Sequence, residues 1–277
     1  MSNHVMVKCL CCGSGRLMTV LDLGMQPPAN DYREGDTSEQ PEKFPLLLNR
    51  CEDCWHLQLG YCVDRSTIFD NYAYASGTSK TLKRYFDWFA ESLKPVMSAQ
   101  RRVLDIAAND GSLLRALMLQ DIACVGVDPA ENLTDAAVAS GLPMVQGYWP
   151  ATAAKLQGQF SVVVCMNVVA HVDDPLAFLV GVKEVLAPGG FVVVQPSQVR
   201  MIENGEFDTI YHEHLSFFCL SSMKVLAQRA GLELLDASIV KIHGDSPMYY
   251  LRHPGDTVFA SPFDLFTQGE FGLKESL

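Results

Sequence analysis

No stretch of this chain reaches the roughly eighteen consecutive apolar residues that a helix needs to cross a bilayer, and residues 1–8 lack the apolar core of a secretion signal. Both absences set the expectation of a cytoplasmic protein with no membrane partner. Basic residues are in deficit, because 21 Lys and Arg against 32 Asp and Glu leave a formal net charge of −11. A field of that sign repels phosphate, which argues against a nucleic-acid partner. The dinucleotide fingerprint G-x-G-x-x-G is missing, as is the H-E-x-x-H spacing of a helical zinc site. Bound pyrophosphate is therefore not expected. Cysteine is plentiful but odd in number, nine in all with six before residue 63, a distribution that favours metal over disulfides where no secretion signal is seen.

One stretch organises what is present: VLDIAANDGSLL, residues 103–114. Val103, Leu104 and Ile106 read as a buried strand, residues 107–110 as a small-residue turn, and Leu113, Leu114, Leu117 and Met118 fall at helical spacing behind Gly111. Strand, tight turn and helix start make a ligand cradle. A second strand, residues 123–127, ends in Gly126-Val127-Asp128-Pro129, which places the Asp128 carboxylate to accept both hydroxyls of a ribose. An adenosine-type ligand without pyrophosphate is expected.

The alternation continues down the chain. Residues 131–140 read as a helix stopped by Gly141, residues 143–146 as a third strand, residues 150–156 as a short helix, and residues 160–165 as a continuous apolar strand. Asp174-Pro175 opens a helix that Pro188-Gly189-Gly190 closes, and residues 191–194 are a fifth buried strand. The spacing predicts an α/β fold with a parallel, doubly wound sheet, followed by a capped helix over 221–230 and a terminal hairpin of residues 232–242 and 247–251.

Two polar segments emerge at the ligand end of those strands. In residues 166–172 Asn167 suits a hydrogen bond to the charged amino-acid end of a cofactor, while His171 divides evenly between a structural and a site role. The densest cluster is Phe207-Asp208-Thr209-Ile210-Tyr211-His212-Glu213-His214. In one turn of helix Tyr211 and His214 share a face, letting a phenol orient a substrate oxygen while an imidazole takes a proton. The H-x-H pair leaves a metal open as the alternative, although no third ligand motif accompanies it.

At the amino-terminal end Cys9-x-x-Cys12 and Cys51-x-x-Cys54 form two knuckles. Four thiolates close a tetrahedral zinc site with no open position, so the metal is structural and stands in for a core that roughly sixty residues can hardly build. Cys11 matches the knuckle geometry less well than Cys12. Residues 44–49 and 55–59 read as strands flanking the second knuckle, as in a zinc ribbon. Residues 69–79, with Tyr72 and Tyr74 on one side of an extended run, divide evenly between linker and site. Residues 80–93 are a helix with Leu82, Tyr85, Phe86, Phe89 and Leu93 on its core face.

Together these motifs resemble the zinc-containing class I S-adenosylmethionine-dependent sugar C-methyltransferases that act on nucleotide-linked 4-ketosugars. The residues that carry the resemblance are the C-x-x-C pairs, Gly24-Met25-Gln26-Pro27, Tyr72-x-Tyr74-x-Ser76, Asn109-Asp110-Gly111, Asn167-x-x-Ala170-His171-Val172, Ile202-Glu203-Asn204, residues 207–214 and His243-Gly244. It implies a seven-stranded, Rossmann-like sheet over residues 99–254, preceded by a zinc module over 1–66 and a linker and helix over 67–98, and followed by a tail over 255–277. The implied cofactors are S-adenosylmethionine and zinc, the metal on Cys9, Cys12, Cys51 and Cys54. The organic cofactor would meet Asp105, Ala107, Asn109, Asp110, Gly111, Leu113, Asp128, Pro129, Asn132, Asn167 and Ser79.

The resemblance also assigns chemistry. His214 falls where the family places its general base, with Tyr211 and Glu213 beside it and His171, Tyr72 and Tyr74 around the acceptor pocket. The implied reaction is methylation of a carbon next to a ketone, through an enolate that attacks the methyl group in line. A near-neutral imidazole is the expected base. Two departures stand out. Ala107 occupies the place of the first glycine in the family's D/E-x-G-x-x-x-G loop, and its methyl group disfavours the positive φ that glycine supplies. The family's second Rossmann-like domain has no counterpart after Arg252, which predicts a smaller acceptor, or a partner or second copy that supplies the missing wall. Methylation of oxygen or nitrogen, and a non-catalytic zinc-stabilised binding module, are the competing expectations.

Overall fold

Both cysteine knuckles are tight turns closed by main-chain bonds: Gly13 N–H donates to the Cys9 carbonyl at 2.8 Å and Trp55 N–H to the Cys51 carbonyl at 3.1 Å. They sit in a computed structural model that describes residues 3–29, 40–64, 76–156, 160–196 and 201–273, leaving out the side chains of 202 and 203. Five short strands build the amino-terminal module: β1 (His4–Val5), β2 (Leu17–Gln26), β3 (Phe44–Cys51), β4 (Leu57–Leu59) and β5 (Tyr61–Cys62). The second knuckle joins β3 to β4, as a ribbon requires.

Helix α1 (Lys80–Leu93) begins at Ser79, whose hydroxyl oxygen accepts the Leu82 N–H at 3.2 Å. All five apolar side chains expected on its inner face are buried. The alternating part follows as β6 (Arg102–Ile106), α2 (Ser112–Leu119), β7 (Ala123–Asp128), α3 (Glu131–Ala139), β8 (Met144–Gln146), β9 (Phe160–Met166), α4 (Pro175–Val185) and β10 (Leu186–Gln195). Then come α5 (Met201–Asn204), β11 (Ser216–Phe217), α6 (Leu220–Arg229), β12 (Glu233–Val240), β13 (Ser246–Arg252), α7 (Pro262–Phe266) and β14 (Gly272–Leu273).

The main sheet runs β14-β12-β13-β10-β9-β6-β7-β8. Strands β8 to β10 are parallel, and β13 enters antiparallel between β10 and β12. This is the doubly wound α/β sheet the alternation predicts, its seven strands joined by an eighth, two-residue edge strand. One face packs on α4 and α6, the other on α1 and α2. The sheet's first crossover lies at β6, so the β6, β7 and β9 carboxyl ends frame a crevice.

Three local expectations are corrected. Residues 150–156 hold only the 3₁₀ turn Ala153–Lys155. Met118 is 45% exposed, because Leu113, Leu114, Ala116 and Leu117 fill the inner stripe of α2 and position 118 lies about 120° from its centre. Residues 211–214 form a turn rather than a turn of helix, with His214 N–H donating to the Tyr211 carbonyl at 3.0 Å.

The ribbon and the sheet are not separate along the chain. Strand β11 pairs antiparallel with β4, giving a second sheet of order β11-β4-β3-β2. The last residues likewise return to α1: the Phe266 ring stacks on Phe89 with centroids 4.5 Å apart, and Phe271 meets Tyr85 edge-on at 5.3 Å. No helix among the described residues is long and apolar enough to cross a membrane. Because Phe266 is fully buried against α1, Phe266→Ala should destabilise the fold by about 3–5 kcal/mol in urea unfolding.

Candidate active site

After β6 the chain turns through three positive φ angles, at Ala107 (63°), Asn109 (51°) and Gly111 (73°). The turn is stitched to β7, since the N–H groups of Ala107 and Ala108 donate to the Val127 carbonyl at 2.8 and 3.1 Å. Asp128 completes the stitch: its Oδ2 accepts Asn109 N–H at 2.8 Å and its Oδ1 accepts Ala130 N–H at 2.9 Å. A Cβ on Gly111 would fall 2.4 Å from Leu142 Cδ1, so both the space and the backbone require glycine. Ala107 adopts the left-handed conformation that its methyl group disfavours, at a cost of roughly 1–2 kcal/mol.

The other expected cofactor residues divide by position. Asn109 Oδ1 accepts Ser76 N–H at 2.9 Å, and Asp110 accepts Gly77 N–H at 2.8 Å and the Ser112 hydroxyl at 2.7 Å. These two side chains hold the 3₁₀ turn Ser76–Thr78 over the cradle. Ser79 uses its hydroxyl to cap α1, and Leu113 is buried beneath the loop. Pro129 and Asn132 are exposed around the start of α3. Asp105 is buried below the turn, where desolvation and the neighbouring Asp128 push its carboxyl up to about 8.

At the end of β9, Asn167 has φ 52° and donates its N–H to the Gln195 carbonyl at 2.7 Å. Its Oδ1 is buried with no hydrogen-bond partner among the described residues, and so is the Nε2 of Gln195. Four residues on, the His171 ring lies 4.8 Å from that of His214, centroid to centroid. Burial, and then His214, push His171 down to about 3.

His214 has a defined tautomer. Its Nδ1 is 3.0 Å from the Thr209 carbonyl, which can only accept, so Nδ1 carries the hydrogen and Nε2 the lone pair. The Tyr211 hydroxyl, 3.2 Å from Nε2, donates to it. Burial pushes His214 down to about 4, well below the near-neutral value expected, and keeps the ring uncharged throughout the neutral range. Glu213 is buried between the two histidines of the motif in sequence, and His212 turns the other way, edge-on to Phe44 of β3 at 6.0 Å. The H-x-H pair therefore does not converge on one point. Tyr72 and Tyr74 lie outside the described residues.

What seats this segment is the ribbon. Leu59 N–H donates to the Leu215 carbonyl at 3.0 Å, Ser216 pairs with Gln58, and Ser216 Oγ lies 3.2 Å from His56 Nε2. Ile210, Leu215 and Phe217 share an apolar cluster with Leu46, Leu48 and Leu59. Neither contact is foreshadowed by any local pattern around Tyr211-His212-Glu213-His214. Gln195 was legible only as a polar residue closing a wholly apolar strand, and Tyr85 only as core.

The four knuckle thiols fit a metal. Cys9, Cys12, Cys51 and Cys54 bring their Sγ atoms within 4.8 Å of one another, with Cys9–Cys54 at 3.4 Å and Cys12–Cys51 at 3.5 Å. Tetrahedral zinc with bonds of about 2.3 Å would set such edges near 3.8 Å. Burial pushes the Cys9 thiol up to about 11, so that thiol keeps its proton unless a cation replaces it. Cys11 stays outside it, buried, with its carbonyl accepting from Arg229 of α6. The upper site fits S-adenosylmethionine by its turn of main-chain bends and by the unpartnered Asn167 Oδ1, an acceptor suited to an ammonium group.

Comparison with known proteins agrees with that geometry. The family model of a methyltransferase domain matches residues 66–237, and that of a zinc binding domain matches residues 9–69. The chain belongs to the methyltransferase domain family, the S-adenosylmethionine-dependent class with the Rossmann-like sheet, and carries the zinc binding module ahead of it. It is similar to the C-methyltransferase NovU of Streptomyces niveus, 29% identical over 249 residues that make up 86% of this chain and 59% of NovU. It is also similar to the ubiquinone biosynthesis O-methyltransferase of Dinoroseobacter shibae, 34% identical over 151 residues, 49% of this chain and 61% of that one. The chain thus spans about three fifths of the length of these relatives. The PH0226 protein of Pyrococcus horikoshii shares the fold with a TM-score of 0.52 at 15% identity, over 68% of this chain and 97% of that one.

Two outcomes follow from this geometry. Atomic emission should find one zinc per chain, and Cys51→Ser should lose it together with several degrees of thermal midpoint. Ala107→Gly relieves about 1–2 kcal/mol of backbone strain and gives back about 0.4–1 kcal/mol to the unfolded chain, so stability should rise by up to about 1 kcal/mol in thermal melts, with cofactor binding by calorimetry no weaker.

Proposed function

We propose that this chain methylates a carbon next to a ketone, on a nucleotide-linked ketosugar or a related small carbonyl compound, through a base-generated enolate. The observation that carries the reading is the uncharged, tautomer-fixed His214, whose Nε2 lone pair faces the Tyr211 hydroxyl beside His171. Transfer to carbon is also supported by the similarity to NovU, a C-methyltransferase by name.

The carbonyl acidifies the neighbouring C–H, and His214 Nε2 takes that proton while the bonding pair moves toward the ketone oxygen. Nδ1–H stays on the Thr209 carbonyl, so the ring does not rotate as its charge appears. Tyr211 first turns its hydroxyl from Nε2 to a substrate oxygen, which frees the lone pair for that proton. S-adenosylmethionine, when bound over the β6 turn, supplies a methyl group on a positively charged sulfur. The methyl group would pass to the enolate carbon with neutral S-adenosylhomocysteine as the leaving group, and His214 returns its proton to solvent. Asn109 and Asp110 contribute by holding residues 76–78 over the reacting groups, which excludes water.

Incubating the protein with the methyl donor and a panel of nucleotide-linked ketosugars, with products read by mass spectrometry, tests the reading. His214→Ala should lose about 10²–10⁴ in kcat and all exchange of the acceptor's α-proton with deuterium oxide. Methylated oxygen or nitrogen, formed with no such exchange, would instead favour the chemistry named in the ubiquinone biosynthesis relatives. Because protonated His214 cannot accept a proton, kcat/KM should stay level down to about pH 5 and fall only through the depressed value near 4.

A further inference from the structure

Forming an enolate moves charge onto the ketone oxygen, and a dry site serves that charge best with a donor already fixed in place. Tyr211 reaches a substrate oxygen only by turning its hydroxyl away from His214, so it is not a donor fixed in place. Gln195 ends β10 and is 0% exposed. Its Oε1 accepts the Tyr85 hydroxyl at 2.6 Å, while its Nε2 is unpartnered among the described residues. Tyr85 is itself fully buried, ringed by Phe86, Trp88 and Phe271, which holds its hydroxyl against the amide. The backbone is held as well, because the Gln195 carbonyl accepts Asn167 N–H at 2.7 Å.

An unsatisfied donor on β10 thus stands beside an unsatisfied acceptor, Asn167 Oδ1, on the turn after β9. Strand order assigns them different partners. The cradle lies at β6 and β7, β9 is the next strand and β10 the one beyond, so at about 4.8 Å per strand Gln195 sits roughly 10 Å across the sheet from the β6 turn. By strand order Asn167 is the nearer of the two to a group extending from the cradle, and Gln195 lies one strand farther out.

The geometry points to Gln195 as the residue that donates a hydrogen bond from Nε2 to the ketone oxygen of the acceptor, with Tyr85 as its positioning residue. The assignment rests on the enolate reading above. It makes Gln195 a binding group for a carbonyl compound, stronger for the enolate than for the ketone because the acceptor then carries charge.

The test uses the full chain with its zinc, and Gln195→Leu and Gln195→Glu variants of it. One readout is the exchange of the α-proton of a nucleoside-diphosphate-linked 4-ketosugar with deuterium oxide in the presence of S-adenosylhomocysteine; the other is calorimetric affinity for S-adenosylhomocysteine alone. Gln195→Leu should lose about 10²–10³ in exchange rate with that affinity unchanged. Gln195→Glu keeps the oxygen that Tyr85 binds but can donate only when protonated, so its exchange should be low at neutral pH and recover as the pH is lowered. Exchange at the wild-type rate in Gln195→Leu overturns the assignment alone, and so does a loss of about tenfold in affinity, which would place Nε2 on the cofactor. Absence of exchange in the wild-type protein overturns the enolate reading and the assignment together.

Discussion

Gln58 is the residue through which the two halves of this protein hold one another. Its side chain grips the main chain on both sides of Cys9, accepting Leu10 N–H at 2.8 Å and donating to the Lys8 carbonyl at 3.1 Å. Its backbone pairs with Ser216, two residues past His214. A metal knuckle, a ribbon strand and the segment that carries the base are thereby one continuous piece of hydrogen-bonded structure. The strand pairing itself is short, and each hydrogen bond contributes only about 0.5–1.5 kcal/mol net. The apolar cluster beneath it, with Leu46, Leu48, Leu59, Leu215 and Phe217 buried, contributes about 1.5–3 kcal/mol per side chain and dominates. Zinc binding, typically worth 10–16 kcal/mol in small modules, is large enough to keep the ribbon folded as the platform.

The site buries polar groups at a cost that the surrounding structure offsets one by one. Burial raises the Asp128 carboxyl and two main-chain N–H groups oppose that rise, while burial, with Asp128 beside it, pushes Asp105 up to about 8, so that Asp105 holds its proton at neutral pH. His56, His171 and His214 are all pushed down by burial, to about 3, 3 and 4. Their hydrogen-bond partners are neutral: a serine hydroxyl, a peptide carbonyl, a phenol. Main-chain hydrogen bonds to Glu213 and Thr209 draw His171 and His214 back toward the charged form, but burial outweighs them. Asn167 Oδ1, Gln195 Nε2 and His171 Nδ1 are buried without a hydrogen-bond partner among the described residues.

How much of this was legible in the sequence depended on the range of the forces involved. The cradle was, because a strand, a bend and a helix leave periodicities within a dozen residues, and the knuckles were, because C-x-x-C is a local geometry. The partners of each were not. Nothing within residues 207–217 signals that Ser216 and Phe217 will pair with a strand some 160 positions earlier, and that pairing is why residues 211–214 are a turn feeding a strand rather than a helix. Tyr211 and His214 still meet after the change, since an i to i+3 turn also brings them onto one side. The charge state of His214 depends on burial by elements distant in sequence, which no motif encodes. Ala107 shows the converse, a local preference overridden because Val127 and Asp128 hold three consecutive positions of the loop, 107 to 109, in place.

The uncharged state of those histidines bears on which reaction the crevice can support. A methyl donor of this class is positively charged when bound, and a protonated imidazole about 4 Å from it would be repelled by some 4 kcal/mol at an effective dielectric of 20. Keeping His171 and His214 neutral by burial removes that repulsion before the reaction begins. The difficulty returns when His214 takes a proton, unless a negative charge appears between the two cations at the same moment. An enolate supplies it, so that proton abstraction leaves alternating charges rather than adjacent like ones. An alcohol or amine acceptor places less demand on this order of events, because its lone pair can attack first and lose the proton afterwards, with the base charged only once the donor is neutral. On the proposed reading, burial that keeps His214 uncharged suits an acceptor that must be ionised first.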